Sequence, residues 1–464
     1  MSLRSRNNTN LTEGNLWKQI LLFFFPILIG TFFQQMYNTV DTVIVGNFVG
    51  TEALAAVGTT ATALNLLIGF FIGVSSGCTV IISQFYGAED RENVSKAVHT
   101  SMALAIVGGV VIMLIGFLGS RTSLKLMNCP DEILDDAVLY MFVYFAGCIG
   151  NLVYNIGTGV LRAVGDSKTP LYILIICCLT NIVLDLLFVV VFRWAVFGVA
   201  FATILSQLVS AICIMYRLMR TDDMYKLEVR KIRFDVSLLR SVIRIGLPAG
   251  GQSVMYSLSN LLIQTSINGF GTACIAAWSA IGKIDGFVWM IMNAFGISVT
   301  TFAGQNFGAK KYDRVKQTAK VGLVLDMACV LVLSVIIFVF RYPLLGIFTK
   351  DSEVIGIGAN FFCVFAPSYF IFVFIEIFSG AIRGVGEALQ PMLITCLGVC
   401  GLRIIWLTTA VKIWPTVTMV AMNYPVSWAI TAVVFIVYYL RGNWMKRSIK
   451  RDHGSAALAE YMEK

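Results

Sequence analysis

Carboxylates inside long apolar runs are the residues most able to do chemistry in this sequence. Asp41 lies in the run from about 18 to 44, with Gln34, Tyr37 and Asn38 at helical spacing on roughly its face. Asp185 lies in the run 169–191, with Asn181 one turn earlier. A carboxylate in mid-membrane costs about 2.5–3.5 kcal/mol on insertion scales, so each one calls for a reason. Carboxylate, amide and hydroxyl oxygens together suit Na⁺, and two neighbouring acids can share a proton. The structural alternative for Asp41 is a solvated cavity wall or a helix–helix hydrogen bond. Gln34, Tyr37 and Asn38 are candidates for a substrate cavity beside it. Pro26, 15 residues before Asp41, removes one backbone hydrogen bond and gives the first run a place to bend.

The elements that must hold these groups follow from composition. Of the 464 residues, 58% are hydrophobic and 13% charged, against roughly 25% charged in soluble domains. Twelve continuous apolar runs are each long enough for a membrane helix of about 20 residues, at 18–44, 54–82, 95–119, 133–158, 169–191, 195–217, 241–267, 274–304, 317–340, 354–380, 390–412 and 417–440. The runs do not alternate as barrel strands would. The expected class is an all-α polytopic membrane protein. The first run is too long for a cleavable signal peptide. The 11 cysteines fall mostly within the runs and read as small apolar side chains, and His99 and His453 have no partners that suggest a metal.

Most of the 35 lysines and arginines fall in the tails and even-numbered loops, with Arg121, Lys125, Arg193, Arg341, Lys350 and Lys412 in the odd ones. The positive-inside rule then places both termini in the cytoplasm of a cell-membrane protein. The +9 formal charge is mostly this topology signal, and no soluble domain is large enough to bind nucleic acid. On this topology Asp41 and Asp185 lie about 8 and 12 Å below the outer boundary, at comparable depth.

The chain is also duplicated. A shift of 221 aligns Gly50-Thr51 with Gly271-Thr272, Ala55-Ala56 with Ala276-Ala277, and Gln84, Gly87 and Ala88 with Gln305, Gly308 and Ala309. It lays GVLRAVGDSKTP, from Gly159, on GAIRGVGEALQP, from Gly380, so that Arg162, Val164, Gly165 and Pro170 meet Arg383, Val385, Gly386 and Pro391. Six spans per half give both halves one orientation, the arrangement of two bundles that rock about a central cavity. The expected organisation is a bundle over 1–217, a linker over 218–240, a second bundle over 241–440 and a tail over 441–464. Arg162 and Arg383 sit at helix ends, and with Gly165 and Gly386 they read as tight hinge and closure turns. No strand precedes these glycines and no GK[ST] follows, so they are not a nucleotide site.

Together with the Val40-Asp41-Thr42 triplet and the turns at Gln84 and Gln305, these loops resemble the multidrug and toxic compound extrusion (MATE) family over nearly all of residues 12–440. The resemblance implies two parallel-oriented six-helix bundles and an antiporter that exports organic cations or drugs against inward H⁺ or Na⁺. It implies no cofactor, no enzyme activity, and small hydrophobic or cationic substrates; a monomer in the bilayer suffices for the expected mechanism. Asp41, Asn181, Asp185 and Thr203 match the family's first-bundle cation site, with Asp41 and Asp185 as the Na⁺ ligands if sodium is the ion. In the second half Asp41 falls opposite Ile263 or Gln264 and Asp185 opposite Trp406. Gln252 and Phe372 stand near where other members carry acids, which leans toward the DinF-like branch. Glu376, expected to attract cations or pair with Arg403, and Asp285, beside Lys283, are the remaining cavity candidates. A flippase for lipid-linked saccharides is the alternative function; it would favour a more cationic cavity.

Overall fold

The computed structural model describes residues 11–49, 51–126 and 129–463. Gly50, which the repeat pairs with Gly271, lies outside them, as do the side chains of Ala55 and Ala56. Among the described residues there are helices and turns and no strand.

Twelve long helical elements follow one another. The first six are Leu16–Ile44, Thr51–Gly87, Arg91–Leu126, Asp131–Ala146 with Cys148–Ala163, Lys168–Asp185, and Ala195–Arg220. The second six are Val236–Asn268, Thr272–Gly308, Tyr312–Val339, Ser352–Phe365 with Tyr369–Gly384, Leu389–Thr395 with Leu402–Thr408, and Val417–Arg441. Ten are long and apolar enough to cross a membrane, and the fourth makes 11 if its two pieces, bent by 48°, count as one span. Val236–Asn268 is long enough at 33 residues but carries more polar side chains. The first helix runs unbroken through Pro26. The fifth ends in a π-helical stretch, Leu186–Val191, directly after Asp185. Another, Val45–Val49, follows Asp41 by one turn.

The chain divides into two compact units. One holds Leu22–Gly250; the other holds Thr12–Leu21 and continues from Gly251. The division therefore falls inside the first and seventh helices and not in the loops before them.

The repeat is visible in backbone detail. After the second helix the amides of Ala88, Glu89 and Asp90 donate to Gln84, Tyr86 and Phe85; after the eighth, those of Ala309, Lys310 and Lys311 donate to Gln305, Phe307 and Asn306. Glu89 and Lys310 each adopt φ 58°, a left-handed conformation rare for side chains with a Cβ. The fourth and tenth helices close alike. Gly165 (φ 93°) and Gly386 (φ 86°) hold the left-handed position, and the amides of Asp166 and Glu387 reach back to Leu161 and Ile382. This is the glycine C-cap that satisfies carbonyls at a helix end. Asp166 then caps the fifth helix, accepting from the Thr169 amide at 3.0 Å.

The segment after each sixth helix folds back onto its own unit. In the first, Tyr225 and Leu227 are buried, the Glu228 amide donates to His99 Nε2 at 3.0 Å, and the Tyr86 hydroxyl donates to Asp223 at 3.4 Å. In the second, Trp444 and Ile449 are buried, and Arg451 donates to Glu387 at 3.0 Å and to the Val385 carbonyl at 3.1 Å. His453 stacks on Phe307 at 4.7 Å and meets the Tyr312 hydroxyl at 2.7 Å. Phe307 and Glu387 are the repeat counterparts of Tyr86 and Asp166.

Candidate functional site

Three helices of the first unit bring five expected residues together. The first helix supplies Asp41 and Tyr37, the fifth Asn181 and Asp185, the sixth Thr203. Asn181 and Asp185 are one turn apart, so they present polar groups on one face of the fifth helix. Both are 0% exposed, and Thr203 is 3% exposed. With its nitrogen turned to the carboxylates, the Asn181 amide donates to Asp41 Oδ1 at 2.8 Å and to Asp185 Oδ2 at 3.1 Å. That orientation follows from chemistry: ionised carboxylates only accept, and of the two ends of an amide only the nitrogen donates.

Asp41 also lies within hydrogen-bonding reach of Asp185 and of Tyr37, and the Tyr37 hydroxyl within reach of Thr203. Thr203 donates back to the Val199 carbonyl at 3.0 Å, which leaves its lone pairs for the site. Asp185 Oδ1 is buried without a hydrogen-bond partner. The cluster therefore has acceptors left over and few donors, and what it can do chemically is take a proton or a small hard cation. Among the described residues no three His, Cys, Asp or Glu side chains gather to hold a transition metal.

Two tyrosines of the fourth helix complete the wall. Tyr140 and Tyr144 stack at 6.3 Å, and both interact electrostatically with Asp41. Sequence reasoning passed over them, although tyrosines at i and i+4 in an apolar run are a visible polar stripe. Of the cavity candidates on the first helix, Gln34 and Asn38 are exposed and Tyr37 is half-buried against Asp41.

The second unit has no such cluster at the matching positions, but it is not without buried acids. Asp285 accepts from Trp289 Nε1 at 2.6 Å and faces the Tyr369 hydroxyl, while Lys283 is exposed. The expected pairing of Glu376 with Arg403 does not form. Arg403, 2% exposed, donates to Asn260 at 3.3 Å and lies over the Tyr424 ring at 4.3 Å. Glu376 packs instead on Gly296. Sequence reasoning also missed Asp326 in the ninth helix, which is 0% exposed; the signal was the one that singled out Asp41, a lone acid in an apolar run.

Of the hinge candidates, Pro26 is buried within its helix. Arg162 and Arg383 end their helices ahead of Gly165 and Gly386, and Arg383 donates to Ser379 at 3.1 Å.

Comparison with known proteins agrees with the duplicated architecture. The model of the MatE family matches the chain twice, over residues 26–187 and 248–408. "Probable multidrug resistance protein YoeA" of Bacillus subtilis (strain 168) is 29% identical over 450 residues, covering 95% of this chain and 96% of its own. A crystal structure of MATE in the straight conformation superposes with a TM-score of 0.89 at 21% identity, covering 96% of this chain and 100% of the other. One in the bent conformation gives 0.86 at 22%, covering 95% and 99%. The two family matches correspond to the two repeats and together take in most of the chain, which therefore belongs to the MatE family.

Proposed function

We propose that this chain is a secondary active antiporter that exports small hydrophobic or cationic organic compounds by alternating access, driven by inward H⁺ or Na⁺. The observation that carries the reading is the Asn181 bridge between Asp41 and Asp185, with an Asp185 oxygen left without a partner. The similarity to a protein named for multidrug resistance supports the substrate class. The lysine and arginine bias supports a multi-pass protein of the cell membrane with both termini in the cytoplasm.

The mechanism follows from charge. Unloaded, two carboxylates and a polar wall favour a cationic substrate in the first unit. Loading Asp41 with a proton or Na⁺ removes that attraction and relieves the repulsion between Asp41 and Asp185. The first helix, already short of one backbone hydrogen bond at Pro26, can then change its bend and close the substrate's place. Thr203 and Tyr37 hold the loaded group; Gly165 and Gly386 allow the turns beneath each bundle to follow. One inward charge supplies about 2.3 kcal/mol per 100 mV, enough with a chemical gradient to sustain export without ATP.

Ethidium export from reconstituted vesicles under separately imposed pH and Na⁺ gradients tests this. Asp41→Asn is expected to abolish gradient-driven export while the protein stays folded. Full export by that variant, or wild-type export that responds to neither gradient, would sink the proposal.

A further inference from the structure

We propose that the second unit carries a proton-binding carboxyl pair of its own, Asp326 of the ninth helix with Glu376 of the tenth. The pair lies outside the Asp41 cluster and does not depend on it.

Asp326 is 0% exposed, and neither of its carboxyl oxygens has a hydrogen-bond partner. A carboxylate stripped of both water and donors is strongly disfavoured. A bound proton removes most of that cost with no further ligand. Sodium would need a shell of several oxygens, and among the described residues no third acidic side chain joins the pair.

The seam around Asp326 is set by its neighbours. Gly322, one turn earlier on the same face, has a Cβ direction that runs into Val299 of the eighth helix and ends 3.8 Å from Ile377 of the tenth. Asp326 therefore enters a seam between three helices, beside the residue that precedes Ile377. That residue is Glu376, whose Oε1 occupies the place where a Cβ on Gly296 would stand. Gly296 is thus the notch that lets the Glu376 carboxyl lie against the eighth helix.

The two acids interact electrostatically. The other charged or titratable groups in range are Arg383, two turns down the tenth helix from Glu376, Tyr256 of the seventh helix, and Cys329 on Asp326's own helix. Glu376 is half-buried and has a guanidinium in range; Asp326 is 0% exposed, and the charged group that acts on it is another acid, Glu376. That asymmetry gives them different parts. Glu376 is the member that meets solvent and takes up the proton; Asp326 is the member that stores it. In the net change the Glu376 carboxyl loses a proton and the Asp326 carboxylate gains one, with the negative charge moving the opposite way toward Arg383; since the two are not hydrogen-bonded to each other, a side chain must turn for the proton to pass.

The test reads proton occupancy and not export, so it stands or falls apart from the antiport reading. Infrared difference spectra between acid and alkaline pH are recorded on the full-length protein in liposomes. The wild type is expected to show titrating C=O stretches of protonated carboxyls. Asp326→Asn should remove one of them, and Asp41→Asn a different one. Glu376→Gln should leave the Asp326 component present but displaced in pH and slower to exchange in D₂O. A folded Asp326→Asn protein with an unchanged difference spectrum would overturn the proposal. Should Asp326→Asn fail to fold, an unchanged spectrum and unchanged exchange in Glu376→Gln would overturn it equally.

Discussion

Asn181 is a neutral residue on which two charges turn. Remove its amide and Asp41 and Asp185 face each other with no donor between them, which favours permanent loading. Asn181→Ala should therefore uncouple the transporter, with export in an imposed gradient falling about tenfold or more while substrate still binds; a binding titration with ethidium beside the vesicle assay separates the two. In the second unit, Gly296→Ala sets a methyl against Glu376 Oε1. Crowding of this kind typically costs about 1–3 kcal/mol. When Glu376→Ala is made as well, most of that cost should vanish, a coupling that thermal unfolding of the wild type, the two single variants and the double variant would read. At this scale the sequence was informative where residue type alone was unusual. Asp41, Asn181 and Asp185 announce themselves in apolar runs and do gather. Asp326 was equally legible by type, but no amide or acid stands one turn away on its helix to mark a site, as Asn181 does for Asp185. The pairing expected for Arg403 failed for a physical reason: guanidinium is equally content with an amide oxygen and an aromatic face, and spacing does not say which.

Among elements, the repeated turns carry the most information. Gly165 and Gly386 sit at φ 93° and 86°, where an L side chain is strained by about 1–2 kcal/mol. Gly165→Ala and Gly386→Ala should each lower stability by about that amount, seen as a drop in melting temperature in detergent. The same substitution at Gly346, where an added Cβ meets nothing within 4 Å, should not. These turns were readable because glycine at a helix end has a backbone reason. The spans were readable because a bilayer leaves an apolar helix little choice. The π-helical stretches beside Asp41 and Asp185 were not readable, since one extra residue in a turn has no compositional signature. Nor was the break at Gly147 in the fourth helix, a 48° bend with no proline to mark it.

For the molecule as a whole, the two segments that follow the sixth and twelfth helices are more than a linker and a tail. His453 is the titratable point of the second one. Its burial against Phe307 and Tyr312 lowers its pKa from the ordinary 6.5, chiefly by desolvation and despite Asp452. A folded-state pKa below the unfolded value means the undocked tail binds more protons, so docking is fully favoured above about 6.5 and weakens as pH falls through that value. Protease or hydrogen-exchange protection of residues 444–463 should decline in the wild type as pH is lowered from neutral through that ordinary value. In His453→Phe, which keeps the stack on Phe307, it should stay flat.

These two segments also set an order of events during synthesis. Each bundle is fastened at its turns by the stretch of chain translated directly after it. The first bundle can be fastened as soon as residues 223–235 emerge, before most of the seventh helix exists. The second must wait for Arg451 and His453, which follow all twelve helical elements. A ribosome that stops between Arg441 and Trp444 would thus release a protein with every one of those helices in place and only one half fastened. The longer chain differs from that product by the docked segment from Trp444 onward, with its Arg451 hydrogen bonds and its His453 stack. Cells that make the chain truncated after Gly442 should accumulate a transporter whose second half alone is open to proteolysis at its turns.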